Sequence, residues 1–118
     1  MPRVEDLCND VYYCTDDDTI RIIKRYLYNI ACEPHTHTYR TIKLNNKKFK
    51  HIWNYQECRV LFYEIGFIVC NDVLNLSMDA SLDALNYSVE FFRRIEKEEQ
   101  RVESLNLMHA NSAPDGVS

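Results

Sequence analysis

Few residue combinations in this chain could carry chemistry. Cys32, His35 and His37 form a C-x2-H-x-H run, and thiolate with imidazole is a donor set that zinc favours. A tetrahedral zinc site needs about four ligands, and the fourth, Cys58 or His51, would have to come from far along the chain. The run reads better as a polar loop around Pro34, and no metal is expected. Five cysteines and four histidines offer Cys–His nucleophile pairs on paper, but no cysteine stands at a readable helix start beside a paired base. Asp16, Asp17 and Asp18 lack the spacing and the glycine of a calcium-binding EF-hand loop. Acids at a helix start, favoured by the helix dipole, explain them. Glycine occurs only at Gly66 and Gly116, so neither a phosphate-cradling P-loop nor a dinucleotide fingerprint can be built. With no catalytic constellation left, the chain is expected to be neither an enzyme nor a cofactor binder.

What remains is a pattern of charge. Between Glu33 and Glu57 there is no acidic residue, whereas Arg40, Lys43, Lys47, Lys48 and Lys50 all lie in that interval. The window from Arg21 to Arg59 holds nine basic residues and two acidic ones, a net +7 within a chain whose total is −4. One basic face on an otherwise acidic domain suggests an anionic partner for the basic segment. Tyr39, Phe49, Trp53 and Tyr55, set among the lysines, would suit single-stranded nucleic acid. A pI near 5.5 argues against a dedicated nucleic-acid binder. An acidic peptide satisfies the same face at lower charge density, and a solvated lysine loop with no partner is the plainer alternative.

The elements that must position this segment are mostly helical. A chain of 118 residues, 46% apolar and 27% charged, is long enough for one domain with a real core. Leu7, Val11 and Cys14 have helical spacing and predict a first helix from Val4 to Tyr13. Thr15 with Asp18 three residues on resembles a capping box, and Ile20, Ile23, Leu27, Ile30 and Ala31 then form an apolar stripe that Pro34 must end. From Tyr39 to Leu44 the period changes to two, which predicts an extended segment with Tyr39, Thr41 and Lys43 on one face. Asn45 and Asn46 suit a turn or helix start before a short helix from Lys47 to Trp53 that holds Phe49 and Ile52. Asn54 and Glu57 predict another capped helix, which Gly66 ends in the left-handed region. Asn71-Asp72 between two apolar runs predicts a small hairpin. A last helix starts near Asp79 or Ser81 and presents Leu82, Leu85, Val89, Phe92 and Ile95.

The fold class is therefore α+β and mainly helical: a single compact domain of five or six helices with a small antiparallel sheet. An N-terminal helical arm is expected over 1–18, the domain over 19–103, and a disordered tail over 104–118. The odd number of irregularly spaced cysteines, with no CxxC, predicts reduced and partly buried thiols. No signal peptide opens the chain and no apolar run could span a bilayer, so a cytoplasmic or nuclear location without membrane contact is expected. A monomer is expected as well.

Four stretches of sequence then carry a resemblance. Asn29-Ile30 with Pro34, T-Y-R-T-I-K-L-N-N-K-K-F from Thr38 to Phe49, F-Y-E-I-G-F from Phe62 to Phe67, and L-N-L-S-M-D-A-S-L-D-A-L from Leu74 to Leu85 occur in the order of a PUB domain. This is the module found in peptide N-glycanase and in UBA- or UBX-containing proteins, and the resemblance runs from about Thr19 to Glu99. It implies a helical domain that binds the C-terminus of the Cdc48-type AAA ATPase, also called valosin-containing protein. That tail is an acidic run ending in a leucine and an aromatic residue, and the setting is ubiquitin-linked protein quality control. By the same resemblance Asn29, Tyr39, Lys43 and Asn46 line a groove, with Phe49 as the family's phenylalanine. Lys47, Lys48 and Lys50, within the charged run that begins at Arg40, supply steering charge, and Trp53 with Tyr55 stands in for a proline-containing loop that this slightly shorter chain lacks. Lys43 stands where an arginine is common and replaces a planar fork with a point charge. Asn46, solvated without the tail, is expected to matter little to stability, whereas Phe49 also suits ordinary core packing. Two alternatives to the adaptor stay open: the targeting domain of a glycanase-like enzyme, and a degenerate PUB fold that binds some other acidic partner.

Overall fold

The computed structural model of this chain describes residues 4–95, and helices with a small sheet account for most of them. Helix α1 spans Val4–Cys14 and buries Leu7, Cys8 and Val11. The side chain of Thr15 closes it by donating to Val11 O at 2.6 Å, so Thr15 does not cap the next helix as its spacing predicts. That task falls to Asp16, whose Oδ1 accepts from Thr19 N at 2.7 Å. Helix α2, Asp17–Cys32, buries Ile23, Leu27 and Ile30 on the predicted stripe. It ends where Pro34 requires, with the Glu33 amide donating to Asn29 O at 3.0 Å.

A 3₁₀ turn over His37–Arg40 then leads into β1, Thr41–Lys43. The predicted extended segment is thus halved: Tyr39 and Arg40 belong to the turn, and only Thr41, Ile42 and Lys43 are strand. Helix α3, Lys47–Trp53, has the predicted bounds and buries Phe49 and Ile52. Asn54 closes α3 with its amide instead of capping α4, and Tyr55 precedes α4 (Gln56–Ile65) without a side-chain cap. Gly66 ends α4 at φ 121°, a region costly for any residue with a Cβ. An added Cβ would also lie 3.3 Å from Leu76 Cδ1.

The predicted hairpin is present as β2, Ile68–Cys70, and β3, Val73–Asn75, with Cys70 opposite Val73. Asn71 takes the left-handed conformation that the two-residue turn needs. Strand β1 pairs with the other side of β3, Ile42 opposite Leu74, giving an antiparallel sheet in the order β1-β3-β2. Helix α5 covers 83–95, a little later than its sequence signals suggest, because Ser77 and Ser81 hold turns at Asp79 and Asp83. It buries Leu85, Val89 and Phe92, with Leu82 and Ile95 packed at the margin.

One core joins these elements: Ile23, Leu27 and Ile30 of α2, Phe49 of α3, Leu61 and Phe62 of α4, Leu74 of β3 and Phe92 of α5 are all essentially inaccessible. The segment expected as an arm feeds the same core, for α1 packs on α4. The thiol of Cys8 reaches Ser88 Oγ on α5 at 3.4 Å. The end of the expected domain, 96–103, and the tail expected over 104–118 lie outside the described residues. Among the described residues no helix is long and apolar enough to cross a membrane.

Candidate peptide-binding site

The basic segment lies across α2. The 3₁₀ turn and α3 both pack on that helix, and β1 joins them. Asn29 lies half-buried near the C-terminal end of α2, and its side chain has no hydrogen-bond partner among the described residues. Tyr39, also half-buried, rests against the core from the turn. Lys43 is exposed on the outer face of β1 beside Thr41, while Ile42 between them points inward. Asn46, Lys47 and Lys48 stand exposed where α3 begins. Sequence reasoning passed over Tyr26, which lies one turn before Asn29 on the same helical face and sets its ring edge against Phe49 at 5.3 Å. The i, i+3 spacing from Asn29 was the available signal. Burial pushes the Tyr26 hydroxyl above its usual range.

Four residues assigned to the groove have other work. Phe49 is fully buried, packed between Tyr26, Trp53 and Phe62, and offers no surface to a ligand. Trp53 stacks on Phe49 and meets Tyr63 edge-on, at the end of α3 that lies roughly 10 Å along the axis from Asn46. Tyr55, half-buried, donates to Asp16 Oδ2 at 3.0 Å. Arg40 is 4% exposed, with its guanidinium bonded to the carbonyl oxygens of Pro34 and Ser77, and so is no free steering charge. The physical reason is common to all four: a large or planar side chain beside a forming core gains more from packing and internal bonds than from solvent.

Asn46 is both exposed and structural. Its Oδ1 accepts from Lys48 N at 3.0 Å and from Phe49 N at 3.3 Å, capping α3. The expectation that it matters little to stability is therefore corrected. Only the amide nitrogen is left to face a ligand, since it has no partner among the described residues. Beneath α3, Asp16 gathers Thr19 N, His51 Nε2 at 3.1 Å and the Tyr55 hydroxyl, tying the start of α2 to the far end of the basic segment. The Thr19 amide, and next the His51 ring, hold the Asp16 carboxyl far below the usual carboxylate range.

The chemistry on offer is hydrogen-bond donation and positive charge. Burial pushes the Cys8 thiol up to about 11 and the Cys58 thiol up to about 12, so neither is a ready nucleophile. Cys32, His35 and His37 are exposed, and no group of residues among those described could hold a metal ion.

The family model for the PUB domain matches residues 16–107, from the Asp16 cap through all the elements that carry the basic segment. Helix α1 precedes the match although it shares the core. No curated protein matches the chain closely enough to count as a relative. With most of its length matched, and with the helices and small antiparallel sheet described above, the chain belongs to the PUB domain family, a family of protein-interaction modules.

Proposed function

We infer that this domain binds the acidic C-terminal tail of a Cdc48-type AAA ATPase and acts as a non-catalytic adaptor in ubiquitin-linked protein quality control. Family membership supports a protein partner, and one observation carries the choice of an acidic one. Within the six residues 43–48, Lys43, Lys47 and Lys48 are exposed, Asn46 presents an unused amide, and no acidic side chain interrupts the run. Such a run draws in an anion by long-range attraction and then reads it through hydrogen bonds. Tyr26, Asn29 and Tyr39, half-buried beside it, suit the leucine and aromatic residue that end the tail.

The test is titration of the full chain with a labelled peptide of the ATPase C-terminus at several salt concentrations. Binding should weaken as salt rises, chiefly through the association rate. Lys47→Gln with Lys48→Gln should flatten that dependence. Equal affinity at low and high salt removes the steering role, and no binding in low salt rejects the partner.

A further inference from the structure

The geometry points to Arg40 as a positioning residue that sets the spacing of the tail site, an inference that rests on the tail-binding reading. Its guanidinium is a buried cation that meets no carboxylate among the described residues. Nε and Nη2 both donate to Pro34 O, at 3.0 and 2.6 Å, and Nη1 donates to Ser77 O at 2.7 Å. Its own backbone oxygen accepts from Leu76 N at 2.9 Å. A buried charge is tolerated only where its donors are satisfied, so these carbonyls cannot drift without exposing the cation to an unpaired state.

The placement of the two carbonyls gives this lock its meaning. Pro34 lies in the link between the end of α2, which carries Asn29, and the 3₁₀ turn, which carries Tyr39. Ser77 follows β3, the strand that pairs with β1 and places Lys43. One planar fork therefore fixes Asn29, Tyr39 and Lys43 relative to one another before any ligand arrives. Preorganisation of this kind reduces the ordering cost of binding and acts on residence time. A lysine keeps the charge but cannot reach both carbonyls in the fork geometry.

The test compares the parent with Arg40→Lys and Arg40→Gln, at a temperature where circular dichroism shows all three fully folded. Both variants should bind the ATPase-tail peptide about tenfold more weakly. The loss should appear as faster dissociation, with the parent's salt dependence retained. Amide exchange in the unbound variants should rise at Thr36 and Ala80, which donate to Glu33 O and Ser77 O, and not across the core. A residue that only adds global stability would lower the melting temperature without changing dissociation from the folded state, and that result overturns positioning. A flattened salt dependence would make Arg40 a steering charge and also overturns it. Should the variants not fold, the unbound parent decides: slow exchange at Thr36 and Ala80 supports the lock, and fast exchange overturns it. A parent with slow amides that does not bind the peptide overturns the tail reading, and the positioning role with it, while the lock stands.

Discussion

Asn46 offers a way to separate binding from folding by one substitution. Its Oδ1 holds two amides at the start of α3, and one of them belongs to the fully buried Phe49. Asn46→Ala removes that cap and should cost about 1 kcal/mol, within the usual range of roughly 0.5–2. For a domain of this size that lowers the melting temperature by roughly 4–8 °C. Asn46→Asp keeps an oxygen acceptor in the same place and adds a negative charge at a helix start, so the melting temperature should equal or exceed that of the parent. The same change replaces the free amide donor with a carboxylate. A hydrogen bond to a charged group is worth about 1.5–3 kcal/mol, and here it would be exchanged for repulsion of an acidic tail. Affinity should then fall by roughly tenfold or more. Thermal melts alongside peptide titrations measure both quantities. If Asn46→Asp melts like Asn46→Ala, the cap is not what the side chain contributes. If it binds as tightly as the parent, the amide does not face the ligand.

Other outcomes follow from polar groups outside the basic segment. Because the Thr19 amide and His51 depress the Asp16 carboxyl, its stabilisation is present above the unfolded value of about 4 and is lost as the pH falls through the folded one. Melting curves from about pH 5 to about pH 2 should therefore drop less steeply for Asp16→Asn than for the parent, and coincident slopes would refute this. The Thr19 hydroxyl is buried without a partner among the described residues, so Thr19→Val should be neutral or gain about 1 kcal/mol in denaturant unfolding. A loss of similar size would mean that the hydroxyl has a bonded partner after all. Cys14, Cys32 and Cys70 are exposed whereas Cys8 and Cys58 are buried, so a thiol reagent should count three sulfhydryls in the native protein and five in denaturant. Fewer than five in denaturant without reductant would reveal a disulfide.

Much of the fold could be read because apolar periodicity is a local signal. The stripe from Ile20 to Ala31 marks α2, the β2–β3 turn announces itself in Asn71-Asp72, and Gly66 sits where only a residue without a Cβ is comfortable. Caps were misplaced by one residue where two polar candidates adjoin, since Thr15 and Asp16 compete and only the geometry of α1 assigns Thr15 to Val11 O. The 3₁₀ turn left no periodic trace because four residues are too few to show one. The site was legible as composition but not as placement. Nothing local distinguishes Lys43, which stays in solvent, from Arg40, which is buried because Ser77, far along the chain, joins Pro34 in the preceding link to satisfy its guanidinium. The same holds for Asp16, His51 and Tyr55, which meet only once α2 and α3 have packed.

Those two sets of bonds fall at opposite ends of one stretch of chain. Near the C-terminal end of α2, Arg40 fastens the stretch through Pro34. Near the N-terminal end, His51 and Tyr55 fasten it through Asp16. A strap buckled at both ends has a set length, so residues 40–51 cannot gain or lose a residue without undoing one buckle or lifting the start of α3. Natural length variation in this region should therefore gather outside the buckles, in the links beyond Tyr55. The spacing of Lys43, Asn46, Lys47 and Lys48 is held by the tether as firmly as by the strand and helix that carry them.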